Sequence, residues 1–346
     1  LVTIDSKTGI TVAANAVTTI TGTLSDINAV ITADGNGTIE VDTNFNVTVS
    51  DSSITASALN ALSVHTTGTI TTQAATITGT DTAIITSIND NHSGITTAND
   101  VIYDLDNTDT STVSELTTIS NATIGDVIAA NINDTYTAII SLANTASQIL
   151  EDATGIVTAT GSIGGETISM IDVGTKHDLT IDGAGGADFI IGSASNDKID
   201  GGVGNFVDTI KGGAGDDTIV FKDIDQGGID ILLSFKTEAA AGTERDYIQF
   251  TTSDLSGLTG FVTYSGGTGA GRTELTMAGG LKAEFIVGTA STDAEATFLY
   301  NTTTGILSFD ADGTGGQSKI DIVKIFSDDG QTTVVDDLLV TDFTFI

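Results

Sequence analysis

One nine-residue stretch carries the strongest structural signal in this sequence, Gly212-Gly213-Ala214-Gly215-Asp216-Asp217-Thr218-Ile219-Val220. It fits the pattern G-G-x-G-x-D-x-U-x at every fixed position, where U is a large apolar residue. Three further copies precede it and begin at Gly183, Gly192 and Gly201. Four copies nearly in phase are far more specific than a lone glycine-rich loop.

The earlier copies depart from the pattern at a few positions. In the first copy Ala184 replaces a glycine, and in the second Ser193 and Ser195 replace two. The third copy reaches its aspartate only after two extra residues, Phe206 and Val207. We expect this insertion to weaken one ion site.

The residue types of the copies point to calcium. Glycine permits positive φ and lets backbone carbonyls turn inward, and Ca²⁺ takes about six to eight oxygen ligands from carbonyls and carboxylates. The apolar positions, Ile190, Ile199, Ile210 and Ile219, would stack as a core. The candidate calcium-site residues are Gly183, Gly185, Asp188, Gly192, Asp197, Gly201, Gly204, Asp208, Gly212, Gly215 and Asp217.

Each ion is expected between copies one coil apart, because two nonapeptides make one coil. Asp188 then pairs with the copy that begins at Gly201, and Asp197 with the copy that begins at Gly212. Without the ion the clustered carboxylates repel each other, so folding of this segment should depend on calcium. The alternative is a glycine- and aspartate-rich linker.

Composition divides the chain into three regions. Residues 1–172 are rich in Thr, Asn and Ala, residues 173–222 are dense in Gly and Asp, and residues 223–346 contain longer apolar runs and most of the aromatics. In the first region, turn glycines recur with spacings of 31, 26, 31 and 30 residues, at Gly37, Gly68, Gly94, Gly125 and Gly155.

Short helical stripes precede most of these glycines, and alternating runs follow several of them. The stripes include Leu24 to Ile31, Leu59 with Leu62, Leu116 with Ile119, and Ile139 through Leu150. Units of about 30 residues bury an apolar face only by stacking. We therefore predict a mainly β, elongated fold with a solenoid-like repeat region containing short helices, a parallel calcium β-roll and a β-rich C-terminal region. The alternative is a β-rich sandwich whose turns mimic a period.

On the nonapeptides the chain resembles the RTX family of secreted proteins. The segment Phe298–Gly313 is similar to the one that follows the calcium roll in serralysin-like C-terminal domains, and Asp246–Phe250 is similar to a strand soon after it. The chain end, Asp342–Ile346, resembles the family's uncleaved export signal. The resemblance implies type I secretion, with folding outside the cell in millimolar calcium.

Charge and composition exclude several classes of function. The chain of 346 residues has 46 acidic and 11 basic side chains, a formal charge of −35, which repels nucleic acid. It lacks cysteine, so disulfides and thiolate zinc sites are excluded, and no apolar run approaches the length of a membrane span. The partners we expect are calcium ions, copies of the same chain bridged by them, and a cell-surface glycan. The chain begins with Leu1, and we expect a processed product or a fragment.

No catalytic set is recognisable, so we expect no enzyme activity. His65, His92 and His177 form no H-E-x-x-H motif, and G-x-S-x-G is absent. His177 more often belongs to a turn than to a catalytic site. Asp310 and Asp312 either form an additional calcium loop or cap a hairpin turn with Gly313. Adjacent acids such as Asp336-Asp337 are more common on solvated or ion-binding faces than in glycosidase sites.

The function expected from these observations is structural. The chain would be a calcium-dependent extracellular protein that forms or anchors a cell-surface assembly, such as an S-layer subunit, a matrix filament or an adhesin. The runner-up is the calcium-binding, secretion-directing C-terminal part of a larger secreted hydrolase or polysaccharide-modifying enzyme. A longer reading frame with a metal or triad motif upstream of Leu1 would favour the runner-up.

Overall fold

The computed structural model describes residues 1–90, 95–222, 224, 227–237, 244–258 and 272–346. Gly94 and His92 lie outside the described residues. The helices are α1 (Val2–Asp5), α2 (Leu24–Gly35), α3 (Ala56–Ser63), α4 (Asp81–Ile88), α5 (Val113–Ser120), α6 (Tyr136–Thr145), α7 (Ser147–Glu151) and α8 (Thr252–Gly257), with 3-10 turns at Ile171–Val173, Ala278–Gly280 and Val340–Asp342.

Short strands alternate with these helices in the first half of the chain and dominate the second half. The strands of the first half are β1 (Val12–Ala13), β2 (Thr19–Gly22), β3 (Ile39–Glu40), β4 (Asn46–Val49), β5 (Ser53–Thr55), β6 (Ile70–Thr72), β7 (Thr76–Gly79), β8 (Ile95–Thr96), β9 (Ile102–Leu105), β10 (Thr110–Ser111), β11 (Val127–Ile128) and β12 (Asn131–Thr135). Those of the second half are β13 (Val157–Thr160), β14 (Thr167–Ser169), β15 (Leu179–Asp182), β16 (Phe189–Ile191), β17 (Lys198–Asp200), β18 (Thr209–Lys211), β19 (Thr218–Phe221), β20 (Asp230–Leu233), β21 (Tyr247–Phe250), β22 (Arg272–Thr276), β23 (Lys282–Val287), β24 (Thr297–Asn301), β25 (Ile306–Asp310), β26 (Ile320–Ile325) and β27 (Phe343–Phe345).

The chain divides into two compact units. The first contains residues 1–133 and 146–156, and the second contains residues 134–145 and 157–346. The regions 173–222 and 223–346, which differ in composition, both belong to the second unit.

Threonines at the ends of strands start the helices of the first unit. After β2, the side chain of Thr23 accepts a hydrogen bond from the backbone N–H of Asp26 at 3.2 Å. Thr55, Thr80 and Thr112 accept equivalent bonds at the starts of α3, α4 and α5. Such a cap satisfies one of the N–H groups that a helix start leaves without a partner. A strand is therefore followed at once by a helix in these repeats.

The helices bury one apolar face each. Ile27, Leu59, Ile84 and Leu116 are all fully buried, and the apolar stripes predicted at α2, α3 and α5 are confirmed. The stripe from Ile139 to Leu150 forms two helices, α6 and α7, that are separated at Ala146. Among the described residues, none of the helices combines the length and apolarity that crossing a lipid bilayer requires.

Two four-stranded parallel sheets form most of the first unit. Their strand orders are β2-β4-β6-β8 and β5-β7-β9-β11. The turn glycines are required by close packing of successive repeats. A Cβ on Gly68 would lie 2.3 Å from the carbonyl oxygen of Phe45, and one on Gly125 would lie 2.4 Å from that of Asp100. Because only glycine fits at these two contacts, the spacing of about 30 residues reflects the stacking of one repeat on another.

From β13 to β21, successive strands of the second unit alternate between two sheets. One runs in the order β13-β15-β17-β19-β21-β27 with parallel pairing throughout. The other is a mixed sheet of nine strands, β14-β16-β18-β20-β26-β25-β24-β23-β22, which is parallel as far as β26. Each strand of the glycine–aspartate segment therefore pairs with the strand two places further along the chain.

Phenylalanines fill the core between the C-terminal strands. The ring of Phe298 lies 4.6 Å from that of Phe309, 5.1 Å from that of Phe250 and 5.7 Å from that of Phe343, centroid to centroid. Phe343 belongs to β27, so the last strand of the chain is part of this core. Because Asp342 is fully buried, its ion pair with Arg245 (Oδ1 to Nη2 2.8 Å) helps to position that strand.

The prediction of a mainly β fold with a solenoid-like region and a parallel calcium β-roll is wrong. The structure is α/β: 22% of the described residues are helical and 32% lie in strands. The sheets are mostly parallel, with four to eight strands, plus one mixed sheet, and they do not form a closed solenoid. The physical reason is the threonine caps, which convert the residues after a strand into helices of eight to twelve residues.

The cap of α5 provides a stability test. Thr112 and Glu115 form a capping box, with the Thr112 N–H donating to Glu115 Oε2 at 2.8 Å. We expect Thr112→Ala to lower the free energy of unfolding by about 1 kcal/mol, measured by denaturant titration. The matched control is Thr117→Ala in the same helix, which should be neutral or stabilising because alanine is the better helix former. Equal losses from both substitutions would contradict the role of the cap.

Candidate metal centre

The glycine–aspartate copies each provide one strand with a buried isoleucine. Ile190, Ile199, Ile210 and Ile219 lie at the centres of β16, β17, β18 and β19, and each is at most 2% exposed. Ile190 is the register partner of Ile210, and Ile199 is the partner of Ile219. The apolar stacking that the sequence predicts for these four positions is therefore present. Copies two apart along the chain are neighbours in a sheet.

The aspartate that precedes each strand accepts a hydrogen bond from the strand beside it. Asp188, Asp208 and Asp230 form what we call the first aspartate row, in which Asp208 Oδ1 accepts the N–H of Asp188 and Asp230 Oδ1 accepts that of Asp208, both at 2.8 Å. The second aspartate row consists of Asp197, Asp217 and Asp246. Here Asp217 Oδ1 accepts the N–H of Asp197 at 2.9 Å, and Asp246 Oδ1 accepts that of Asp217 at 3.2 Å.

Asp230 and Asp246 are the members of the rows that sequence reasoning missed. Neither stands at the aspartate position of a G-G-x-G-x-D sequence, so the nonapeptide pattern does not include them. The available signal was an aspartate directly before a strand-like apolar run, in Asp230–Leu233 and Asp246–Phe250. They end their rows at the positions that a fifth and a sixth copy would occupy.

The second oxygens of the aspartates differ in how well they are satisfied. Asp188 Oδ2 and Asp217 Oδ2 are buried and accept no hydrogen bond from the described residues. Asp197 Oδ2, in contrast, accepts the N–H of Ser193 at 2.6 Å, and Ser193 Oγ donates to Asp197 Oδ1 at 3.0 Å. The serine that replaces a glycine in the second copy thus supplies a hydroxyl hydrogen bond that a glycine at this position could not form.

The glycine that opens each copy lies against the carboxylate of the same copy. A Cβ on Gly183, Gly192, Gly201 or Gly212 would approach Oδ2 of Asp188, Asp197, Asp208 or Asp217 to 3.0, 2.8, 2.5 or 2.3 Å. On Gly192 it would also lie 1.9 Å from the carbonyl oxygen of Gly212. Only glycine therefore leaves room for these carboxylates.

The remaining predicted glycines lie in the turns between the strands. Gly204 and Gly215 have φ of +116° and +106°, values that favour glycine. A Cβ on Gly185 would lie 3.3 Å from the carbonyl oxygen of Val203. The inserted Phe206 and Val207 are exposed, and Asp208 keeps its place in the first row. The weakening expected from this insertion stays a prediction.

Burial shifts the titration of both rows. It raises the pKa of Asp188, Asp197 and Asp246 to about 6, that of Asp230 to about 7 and that of Asp217 to about 8. The hydrogen bond from the Asp197 N–H opposes this shift at Asp217, and the charges of Asp246 and Asp197 add to it. The charged forms are therefore costly in the folded protein unless a cation neutralises them.

The donor set fits a hard cation. It consists of carboxylate oxygens, two of which are buried without a hydrogen-bond partner among the described residues. Glycine-rich loops with densely packed carbonyl groups lie next to them. Oxygen ligands of this kind suit Ca²⁺. Within the described ranges, no group of three or more His, Cys, Asp or Glu side chains is placed to hold a metal ion. An ion here would therefore take much of its coordination from backbone carbonyls. When bound, it would supply a positive charge that offsets the negative charge of the buried carboxylates.

The described histidines lie apart from these rows. His65 follows α3 in the first unit and is exposed. His177 is half-buried and lies just before β15, with its Nδ1 2.9 Å from the carbonyl oxygen of Asp178. This position agrees with the turn expected for His177.

Neither the known protein families nor the curated proteins contain a match to this sequence.

The raised pKa values predict how stability depends on pH without calcium. The folded state binds protons that the unfolded chain releases above about pH 4, so stability should fall as pH rises from about 5 to about 8. We expect the melting temperature in chelator to decrease over this range. Asp217→Asn should melt a few degrees higher than the native chain in chelator at pH 8, because it buries no charge.

Calcium should reverse this ranking and make Asp217→Asn the less stable protein. Asp328→Asn is the control, because that side chain lies outside both rows and hydrogen bonds lower its pKa. A native chain whose melting temperature in chelator rises between pH 5 and pH 8 would contradict the assignment of Asp217 as a buried carboxylate of high pKa.

Proposed function

We propose that this chain is a calcium-dependent, secreted structural protein that forms or anchors a cell-surface or extracellular assembly. The observation that carries the proposal is the pair of aspartate rows, in which Asp188 and Asp217 each bury a carboxylate oxygen that accepts no hydrogen bond from the described residues. S-layer subunits, matrix filaments and adhesins are the classes of protein that this function includes.

Calcium supports folding in this proposal by offsetting the cost of burying carboxylates. An isolated buried charge is strongly unfavourable, and the rows bring six carboxyl groups close to their neighbours along two sheets. Extracellular calcium modules bind with Kd of about 10⁻⁴–10⁻³ M. The resemblance to RTX proteins supports a location outside the cell, where calcium at such concentrations would keep the rows loaded.

Calcium also supports assembly, because copies with a charge of −35 repel each other. One row of side chains on a sheet of the first unit is uncharged. Thr21, Thr48, Thr71 and Thr96 are register partners across β2, β4, β6 and β8, and none of them is buried. We infer that copies of the chain approach where charge is lowest and that calcium neutralises the remaining acidic surface. A cell-surface glycan is a further partner in this proposal.

A calorimetric titration with calcium tests the rows directly. We expect Asp217→Ala to lower calcium affinity by at least tenfold, because it removes a buried oxygen that no hydrogen bond satisfies. Asp197→Ala should have a smaller effect, because Ser193 already bonds both oxygens of Asp197. Asp328→Ala is the control and should leave the affinity unchanged. Equal effects of Asp217→Ala and Asp328→Ala would rule out the assignment of the rows as the calcium site.

Electron microscopy tests the assembly. The purified chain is imaged in chelator, in millimolar magnesium and in millimolar calcium. We expect ordered sheets or filaments in calcium alone, since magnesium dehydrates reluctantly and fits carbonyl-rich sites less well. Dispersed particles in all three conditions would contradict an assembly protein. That outcome would favour the detached part of a larger secreted enzyme or a monomeric glycan-binding adhesin, and a glycan array would then separate these two.

A further inference from the structure

A row of buried polar residues crosses the mixed sheet outside the glycine–aspartate segment. Glu284 on β23, Thr297 on β24 and Asp310 on β25 are direct register partners. Glu284 and Thr297 are fully buried, and Asp310 is 7% exposed. Partners of this kind share one face of a sheet. Two carboxyl groups are therefore buried on the same face of three adjacent strands.

Asp310 and Asp312 each bury an oxygen that accepts no hydrogen bond from the part of the chain that the structure describes. Asp310 ends β25, and Asp312 lies in the turn that follows. Asp310 Oδ2 accepts from Ser291 Oγ at 3.1 Å, whereas Asp310 Oδ1 and Asp312 Oδ1 are both buried without a partner among the described residues. Burial raises the pKa of Asp310. Hydrogen bonds from the Ser291 side chain and from the backbone of Asp312 and Gly313 oppose this shift, and the charge of the Asp312 carboxylate adds to it.

Capping of the turn accounts for only one of the Asp312 oxygens. Asp312 Oδ2 accepts the N–H groups of Gly316 and Gln317 at 2.9 and 3.1 Å. A hairpin cap is thereby complete, and Oδ1 of Asp312 is not needed for it. A cap alone also gives no reason to bury Asp310 Oδ1 beside a second carboxylate, because burying a polar atom without a partner destabilises the folded protein.

The facing loop brings backbone oxygens to the same turn. A Cβ on Gly313 would lie 2.0 Å from the carbonyl oxygen of Asp293 and 2.8 Å from that of Glu295. Gly313 has φ of +59°, a conformation that favours glycine. The turn therefore packs closely against the carbonyl groups of Asp293 and Glu295, next to the carboxylates of Asp310 and Asp312.

We propose that Asp310 and Asp312 hold a second kind of calcium site, which stabilises the mixed sheet and is separate from the aspartate rows. Carboxylate and carbonyl oxygens are hard ligands that select Ca²⁺ over metals that prefer nitrogen or sulfur. Two carboxylates with water and carbonyl oxygens complete the coordination, so a third acidic side chain is not required. This site uses residues outside both rows, so its existence does not depend on the proposed function.

Counting bound calcium tests this site. The full chain and its Asp310→Asn, Asp312→Asn and double variants are saturated with calcium, and the ions per chain are counted by native mass spectrometry. We expect the double variant to bind one ion fewer than the native chain. Asp328→Asn, which lies outside this site in the segment between β26 and β27, is the control and should bind the native number. The same count in the double variant as in the native chain would overturn the proposal.

A second measurement covers the case in which the variants fail to fold. The native chain is crystallised in calcium, and anomalous density is examined near Asp310. An ion within about 2.3–2.6 Å of both Oδ1 atoms is expected. Clear density for the two side chains without an ion between them would refute the site. Asp217→Asn should retain this ion even if it loses one in the rows, which separates a failure of this site from a failure of the rows.

Discussion

A hydrogen bond between a carboxylate and the backbone N–H of the neighbouring strand organises the second unit. Asp208 Oδ1 accepts the N–H of Asp188, and Asp217 Oδ1 accepts that of Asp197. The bond joins equivalent positions of copies two apart, so it sets the register in which β16 pairs with β18 and β17 with β19. The isoleucine two residues after each of these aspartates is then placed opposite its equivalent, and the apolar core follows from the polar contact.

The same bond explains why this part of the chain is sensitive to charge. It satisfies one oxygen of each carboxylate and requires the other to lie against a glycine loop, where Asp188 and Asp217 find no donor among the described residues. Ser193 changes this balance locally, because its N–H and hydroxyl bond both oxygens of Asp197. The members of the second aspartate row are therefore unequal: hydrogen bonds hold Asp197, whereas Asp217 depends most on an external positive charge.

Neutral groups contribute much of the stacking of short repeats in the first unit. Threonine hydroxyls cap the helices, and glycines such as Gly68 and Gly125 allow one repeat to touch the backbone of another. Uncharged threonines line the outward side of one sheet. A chain with 46 acidic residues thus contains a region in which threonine caps and glycine contacts order the repeats, together with single carboxylates such as that of Asp109, which accepts the N–H of Asp81. In our proposal, this is the region through which copies approach each other.

Local patterns were sufficient to predict the nonapeptide strands with their buried isoleucines and the pairing of copies two apart. They also predicted the apolar stripes of α2, α3 and α5. These features follow from the spacing of glycine, aspartate and apolar residues over a few positions. Local patterns did not give the balance of helix and strand. The capping threonines are present in the sequence, but their alternation with short strands favours a mainly β prediction. Asp230 and Asp246 accept hydrogen bonds from residues 22 and 29 positions earlier in the chain. Glu284, Thr297 and Asp310 become register partners only when three consecutive strands pair. No spacing rule links such residues, because it is the packing of the sheets that makes them neighbours.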